Sequence, residues 1–215
     1  MKKDRVKQLL LWAILVTAIL GISTDVYNNS EGGTLFYGLR TFKYFTLQSN
    51  ALVLIFSAIS LFSMRISQKE WFNYTLGPLT AYIMLTGIVY LIILEPIYDS
   101  EGLKRFSSIV LHYITPPLMF AFWIIGEKRR YSYNEIFKWL AYPLLFMVWG
   151  LFQALVRRDY LYPFFDTSQY GANVAIYLIL VAIGFSSMIM VLIFINNTFL
   201  TQRPPHTRVN SFKNR

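Results

Sequence analysis

Residues 172–195, ANVAIYLILVAIGFSSMIMVLIFI, run for 24 positions without a charged side chain. A bilayer core ~30 Å thick is crossed by about 20 residues of helix, so this stretch alone predicts a transmembrane span. Five further apolar runs precede it, near residues 8–23, 42–63, 76–94, 106–125 and 138–156. With 55% hydrophobic and 14% charged residues and a mean hydropathy of +0.44, the chain has too little polar surface to cover a soluble core. The predicted fold class is an all-α integral membrane protein. It is a bundle of six transmembrane helices forming one domain over residues 1–200, followed by a basic tail over 201–215.

The first run is the shortest, and Lys2, Lys3, Arg5 and Lys7 ahead of it also describe a secretory signal. No small-x-small cleavage site follows, so the run is read as a retained span. Of the 20 Lys and Arg, 14 fall on the N-terminal side of the membrane and 6 on the other, namely Arg40, Lys43, Lys104, Arg105, Arg157 and Arg158. The positive-inside rule then puts both termini in the cytoplasm of a multi-pass cell-membrane protein. The net charge of +9 is accounted for by that bias and by attraction to anionic headgroups, which makes membrane lipids the expected partners. Nucleic acid binding is excluded, because no basic patch sits on a folded reader. Without cysteine, neither disulfides nor thiolate chemistry are available.

The connections at 64–75 and 126–137 are too short for a domain. On the opposite side, 28–33 reads as a turn-rich loop and Tyr162-Pro163-Phe164-Phe165-Asp166 as an aromatic interfacial segment. Both are candidate lids. No internal repeat and no paired interior acids point to a transporter.

The strongly polar residues within the spans gather toward the outer side, and the inner halves hold far fewer. At 1.5 Å per residue, Thr46 lies ~6 Å into the second span and His112 ~9 Å into the fourth. The pair can therefore share one level. Ser49 and Asn50 follow Thr46 by three and four residues and project from its face. Gln153 and Asn173 end the fifth span and begin the sixth, and Asp25 ends the first. Pro116-Pro117 should kink the fourth helix and free carbonyls near His112. The only other histidine, His206, is in the tail, so His112 is the one interior general base, and Thr46 is the hydroxyl at matching depth. The bland alternatives stay open. Membrane threonines bond back into their own helix, Ser49, Asn50 and Gln153 suit interhelical packing, and Arg157 suits a lipid phosphate or a substrate carboxylate. One interior histidine falls short of the three protein ligands of a zinc site. No metal and no cofactor are expected.

Taken in order, Lys43-Tyr44-Phe45-Thr46-Leu47-Gln48-Ser49-Asn50, Leu111-His112-Tyr113-Ile114-Thr115-Pro116-Pro117 and Tyr162-Pro163-Phe164-Phe165-Asp166 resemble the androgen-induced membrane protein family. The Ser-Asn pair and the acid at Asp166, where animal members carry Glu, are closer to its bacterial six-helix relatives. The animal members are threonine hydrolases of fatty acid esters of hydroxy fatty acids. The resemblance implies Thr46 as nucleophile and His112 as base in a lipid ester hydrolase, and leaves the substrate open. Asn50 and Gln153 are the expected oxyanion donors. Ser49, Asn173, Arg157, Tyr162 and Asp166 are further substrate-binding candidates. The rival readings are a non-catalytic lipid-binding or sensing protein and a small transporter.

Overall fold

A computed structural model describes residues 2–30, 33–98 and 100–201. The tail residues 202–215, with His206, and Glu31 and Gly32 of the turn-rich connection lie outside the described residues. Among the described residues, six helices are long and apolar enough to cross a membrane: α1 (Lys2–Asn28), α2 (Phe45–Phe62), α3 (Glu70–Leu94), α4 (Gly102–Gly126), α5 (Glu135–Arg157) and α6 (Thr167–Leu200). All-helical spans are what a bilayer requires, because a helix satisfies its backbone polar groups internally. The first span is much longer than the 8–23 read from hydropathy. Its basic N-terminal residues continue the helix as a polar extension.

Helix α3 packs against α2, α4 and α6, while α1 lies along α2 and α4, and α5 is held mainly by α6. At the centre, the ring of Phe45 is 5.1 Å from Phe146 and 5.3 Å from Phe185. Edge-on aromatic pairs of this kind add to area burial. Toward the end where α4 meets α5, Phe56 stacks on Phe72 at 4.9 Å. The opposite end, where α1 meets α2, is called here the site end.

Four helices contain one widened π turn each: Tyr90–Leu94 in α3, Val110–Ile114 in α4, Gln153–Arg157 in α5 and Asn196–Leu200 in α6. The one in α4 directly precedes the Pro116-Pro117 pair. Neither proline has an N–H to give, so the carbonyls one turn back lose their helical partners. The chain adapts by widening, with the Thr115 N–H donating to the Val110 carbonyl five residues earlier. Gly87 of α3 faces this opened backbone. A Cβ there would meet the His112 carbonyl oxygen at 2.8 Å, so only glycine lets α3 approach so closely. Tyr90, three residues on and one turn along the same face, is thereby set over His112.

Two connections close the site end. A short helix, Leu35–Leu39, and a 3-10 turn, Arg40–Lys43, lead into α2. Lys43 then pairs with Asp159 at 2.7 Å, which joins this connection to the one between α5 and α6. In the latter, Phe165 is fully buried against Gly150 of α5. Arg105 and Glu95 form an ion pair at 2.5 Å between α4 and the end of α3.

Candidate functional site

Thr46 is the second residue of α2 and is buried. A threonine deep in a helix bonds its hydroxyl to a carbonyl one turn back, as Ser57, Thr80 and Thr86 do here. Thr46 sits in the first turn, so the residue four before it, Phe42, lies outside the helix. The Phe42 carbonyl instead accepts the Gln48 side-chain amide at 2.9 Å. The Thr46 hydroxyl is directed across to α4, where its Oγ1 lies 3.3 Å from His112 Nε2.

The other ring nitrogen, His112 Nδ1, is 2.9 Å from the Ser108 carbonyl oxygen one turn earlier. A carbonyl only accepts, so the neutral imidazole carries its hydrogen on Nδ1 and presents a bare Nε2 to Thr46. The Thr46 hydroxyl donates to it. Tyr90 stacks on the ring with centroids 3.8 Å apart and planes 13° apart, which fixes the ring plane. The imidazole is thus oriented by one backbone carbonyl and one aromatic face.

Tyr162, from the connection between α5 and α6, lines both cavities that reach Thr46, near the backbone N–H groups of Thr46 and Phe45. Those amides belong to the first turn of α2, which has no intrahelical acceptor for them. Burial pushes the Tyr162 phenol up to about 12, so it is a protonated donor at every physiological pH.

Asn50 does not serve as the expected oxyanion donor. Its Nδ2 gives its hydrogens to the Thr46 carbonyl at 2.9 Å and the Leu111 carbonyl at 3.4 Å. It is a clamp between α2 and α4 that sets Thr46 and His112 in register. Gln153, the second expected donor, is buried in the π turn of α5 and lines neither cavity that reaches Thr46. Ser49 donates to or accepts from Thr86 at 3.0 Å and also bonds the Thr46 carbonyl, which is a packing contact between α2 and α3. Asn173 and Arg157 are exposed and are not brought to the pair. Asp166 caps the start of α6, accepting from the N–H groups of Ser168 and Gln169, so its carboxylate is occupied by the backbone. These six candidates share an end of the bundle with the pair, but their polar groups are engaged or pointed elsewhere. Tyr162 alone of the secondary candidates lines the two cavities together with Thr46.

Tyr90, Ser108 and Leu111 were not anticipated. Ser108 was findable, since it stands four residues before His112 on the same face. Tyr90 reads in sequence as an interfacial aromatic, and nothing in its spacing betrays the stack.

Two cavities meet at Thr46. One is lined by apolar side chains including Leu85, Val89, Phe146, Met147 and Phe185. The other is a roomier polar chamber that includes Asp25, Tyr44, Lys104, Ser108 and His112. Thr46, Leu94 and Tyr162 form the partition. In the chamber, Asp25 Oδ2 is buried without a hydrogen-bond partner among the described residues.

No family model, curated protein or solved structure matches the chain. The geometry of the site therefore stands on its own.

Proposed function

We propose that the protein is a membrane-embedded hydrolase of fatty acyl esters, with Thr46 as nucleophile and His112 as base. The observation that carries this reading is the 3.3 Å approach of the Thr46 hydroxyl to an imidazole nitrogen freed by the Ser108 carbonyl, at the border of an apolar and a polar cavity. A hydroxyl becomes a competent nucleophile when an oriented base takes its proton. The orienting third group here is a carbonyl, which supports a neutral base as a carboxylate does in the serine triads.

In the proposed reaction, Thr46 Oγ attacks the ester carbonyl carbon while its proton passes to His112 Nε2. The tetrahedral oxyanion meets the Tyr162 phenol and the first-turn amides of α2, donors that do not have to reorganise as charge develops. Collapse breaks the ester C–O bond, and the departing alkoxide takes the proton from His112. Water then attacks the acyl-threonine, giving its proton to Nε2, and Thr46 recovers a proton as the fatty acid leaves. The likeness to the androgen-induced membrane proteins agrees with this chemistry. So does a site facing outward with both termini cytoplasmic, as the Lys and Arg distribution favours.

The test is covalent labelling of detergent-purified protein by a fluorophosphonate, with the adduct mapped by mass spectrometry. The expected result is an adduct on Thr46 that is lost in Thr46→Ala and His112→Ala. Folded wild-type protein that takes no label would move the assignment to lipid binding without turnover.

A further inference from the structure

The apolar cavity at Thr46 abuts a second apolar space. Leu85, Val89, Phe164 and Val181 line both it and that space, a groove between α3 and α6 whose other walls include Ile88, Ile92, Leu180 and Gly184. Ile92 and Leu180 are exposed on the surface of the bundle, where the flanking medium is hydrocarbon. The shared side chains of Leu85, Val89, Phe164 and Val181 are thus all that separates the bilayer-facing groove from the apolar cavity at Thr46. On the far side of the partition the surroundings change to Asp25, Lys104 and His112.

We infer that the groove between α3 and α6 is the entry and binding channel for a single long acyl chain, and that the polar chamber receives the alcohol half of the ester. This rests on the hydrolase reading and adds a direction to it. The substrate class is a long-chain acyl ester of a small polar alcohol, held with its chain toward α3 and α6 and its carbonyl at Thr46. A second hydrocarbon arm would have to enter the chamber beside Asp25 and Lys104, where burying charged and polar groups against it is unfavourable. The same chamber supplies the water for deacylation.

Gly184 is the place to test the channel. A Cβ there meets only Leu85 Cδ1 at 3.8 Å, an ordinary contact, so the position accepts a side chain, and a large one would fill the groove. Gly184→Trp should lower kcat/KM for a palmitoyl ester of p-nitrophenol by roughly tenfold or more while leaving the butyryl ester nearly unchanged. Gly184→Ala should match wild type for both. Leu145→Trp, on the exposed surface of α5, controls for a bulky residue facing lipid. Should Gly184→Trp fail to fold, Val181→Trp blocks the same path.

The second readout does not require turnover. Wild type and His112→Ala are photolabelled with a diazirine-bearing palmitate, and the crosslinks are mapped. Crosslinks on Ile92, Leu180 or Val181 that disappear in Gly184→Trp support the channel, even if no ester is hydrolysed and the hydrolase reading falls. Ester turnover with a chain-length profile indifferent to Gly184→Trp, and no crosslink in the groove, overturns the channel while leaving the hydrolase intact. Equal loss of butyryl and palmitoyl turnover in well-folded Gly184→Trp would also overturn it.

Discussion

At the end of the bundle where α4 meets α5, the Glu127 carboxylate accepts four hydrogen bonds, whereas at the site end Thr46 and His112 share one of 3.3 Å and face open space on two sides. Glu127 takes the backbone N–H groups of Lys128 and Arg129, the Arg129 guanidinium and the Tyr131 hydroxyl. Tyr131 in turn accepts the Trp123 indole at 2.8 Å, and the Asn197 side chain clasps the Tyr131 backbone through both its oxygen and its nitrogen. Asn196 adds a bond to the Arg129 carbonyl. This clasp binds α4, α6 and the connection from α4 to α5 into one unit. A densely bonded polar network in a low dielectric rigidifies, although Arg129 Nε and Asn196 Oδ1 are buried without a partner among the described residues. Glu127 is thus tied by more bonds than either Thr46 or His112.

The largest expected effect breaks the clasp. Glu127→Ala leaves the Tyr131 hydroxyl, the Arg129 guanidinium and two backbone N–H groups without their acceptor. Removing one partner of a buried ion pair costs about 3–5 kcal/mol, so the detergent melting temperature should fall by many degrees. A variant that melts with wild type would show that the two ends are energetically alike. The opposite substitution, His112→Ala, should leave the melting temperature near wild type and reduce ester turnover by about 10²–10⁴, the usual contribution of a positioned base. Equal losses of stability and activity would make His112 a packing residue stacked on Tyr90.

Asn50 lies between these extremes. Its Nδ2 joins the Thr46 and Leu111 carbonyls, but its Oδ1 is buried with no partner. Asn50→Leu loses the bridge and also removes an unsatisfied acceptor, and the two effects oppose each other. The expected net cost is therefore only about 1 kcal/mol, read from thermal melts, with a larger proportional loss of turnover because Thr46 and His112 lose their register. A turnover unchanged by Asn50→Leu would mean that helix packing alone sets the pair.

The contrast between the ends also marks what the sequence could and could not convey. The six apolar runs were legible because hydrocarbon permits few alternatives. The common level of Thr46 and His112 was legible from helical rise, yet their contact required that α2 begin only at Phe45, after a 3-10 turn that hydropathy merges with the span. Asn50 and Gln153 carry the right groups for an oxyanion hole. Which partner an amide finds depends on helix rotation, and composition does not encode it. The clasp was missed altogether. Glu127-Lys128-Arg129-Arg130 reads as a solvated charge run beside the membrane, and only the return of α6 with Asn196 and Asn197, some 67 residues later, encloses it.

The smallest effect concerns the connection that carries Tyr162 and separates the two cavities. Asp166 caps α6, and the Ser168 hydroxyl, followed by the backbone N–H groups of Gln169 and Ser168, holds its carboxyl below the ordinary value. A depressed carboxylate pKa contributes stability that is present above the unfolded value, near pH 4, and is lost as the pH falls through the folded one. Acidification through that window should thus loosen the start of α6 in wild type. Asp166→Asn keeps a capping oxygen but removes the proton-binding group, so its melting temperature should depend less steeply on pH below 4. The pH 7 melts of the two should nearly coincide. Because the same connection seats Phe165 against Gly150 and Tyr162 over Thr46, loosening it opens the partition between chain and chamber. Fluorophosphonate labelling of Thr46 after brief acid exposure and return to neutral pH should recover fully in both proteins if the cap is the only group that titrated there. Incomplete recovery in Asp166→Asn would place the acid-sensitive group elsewhere at the site end.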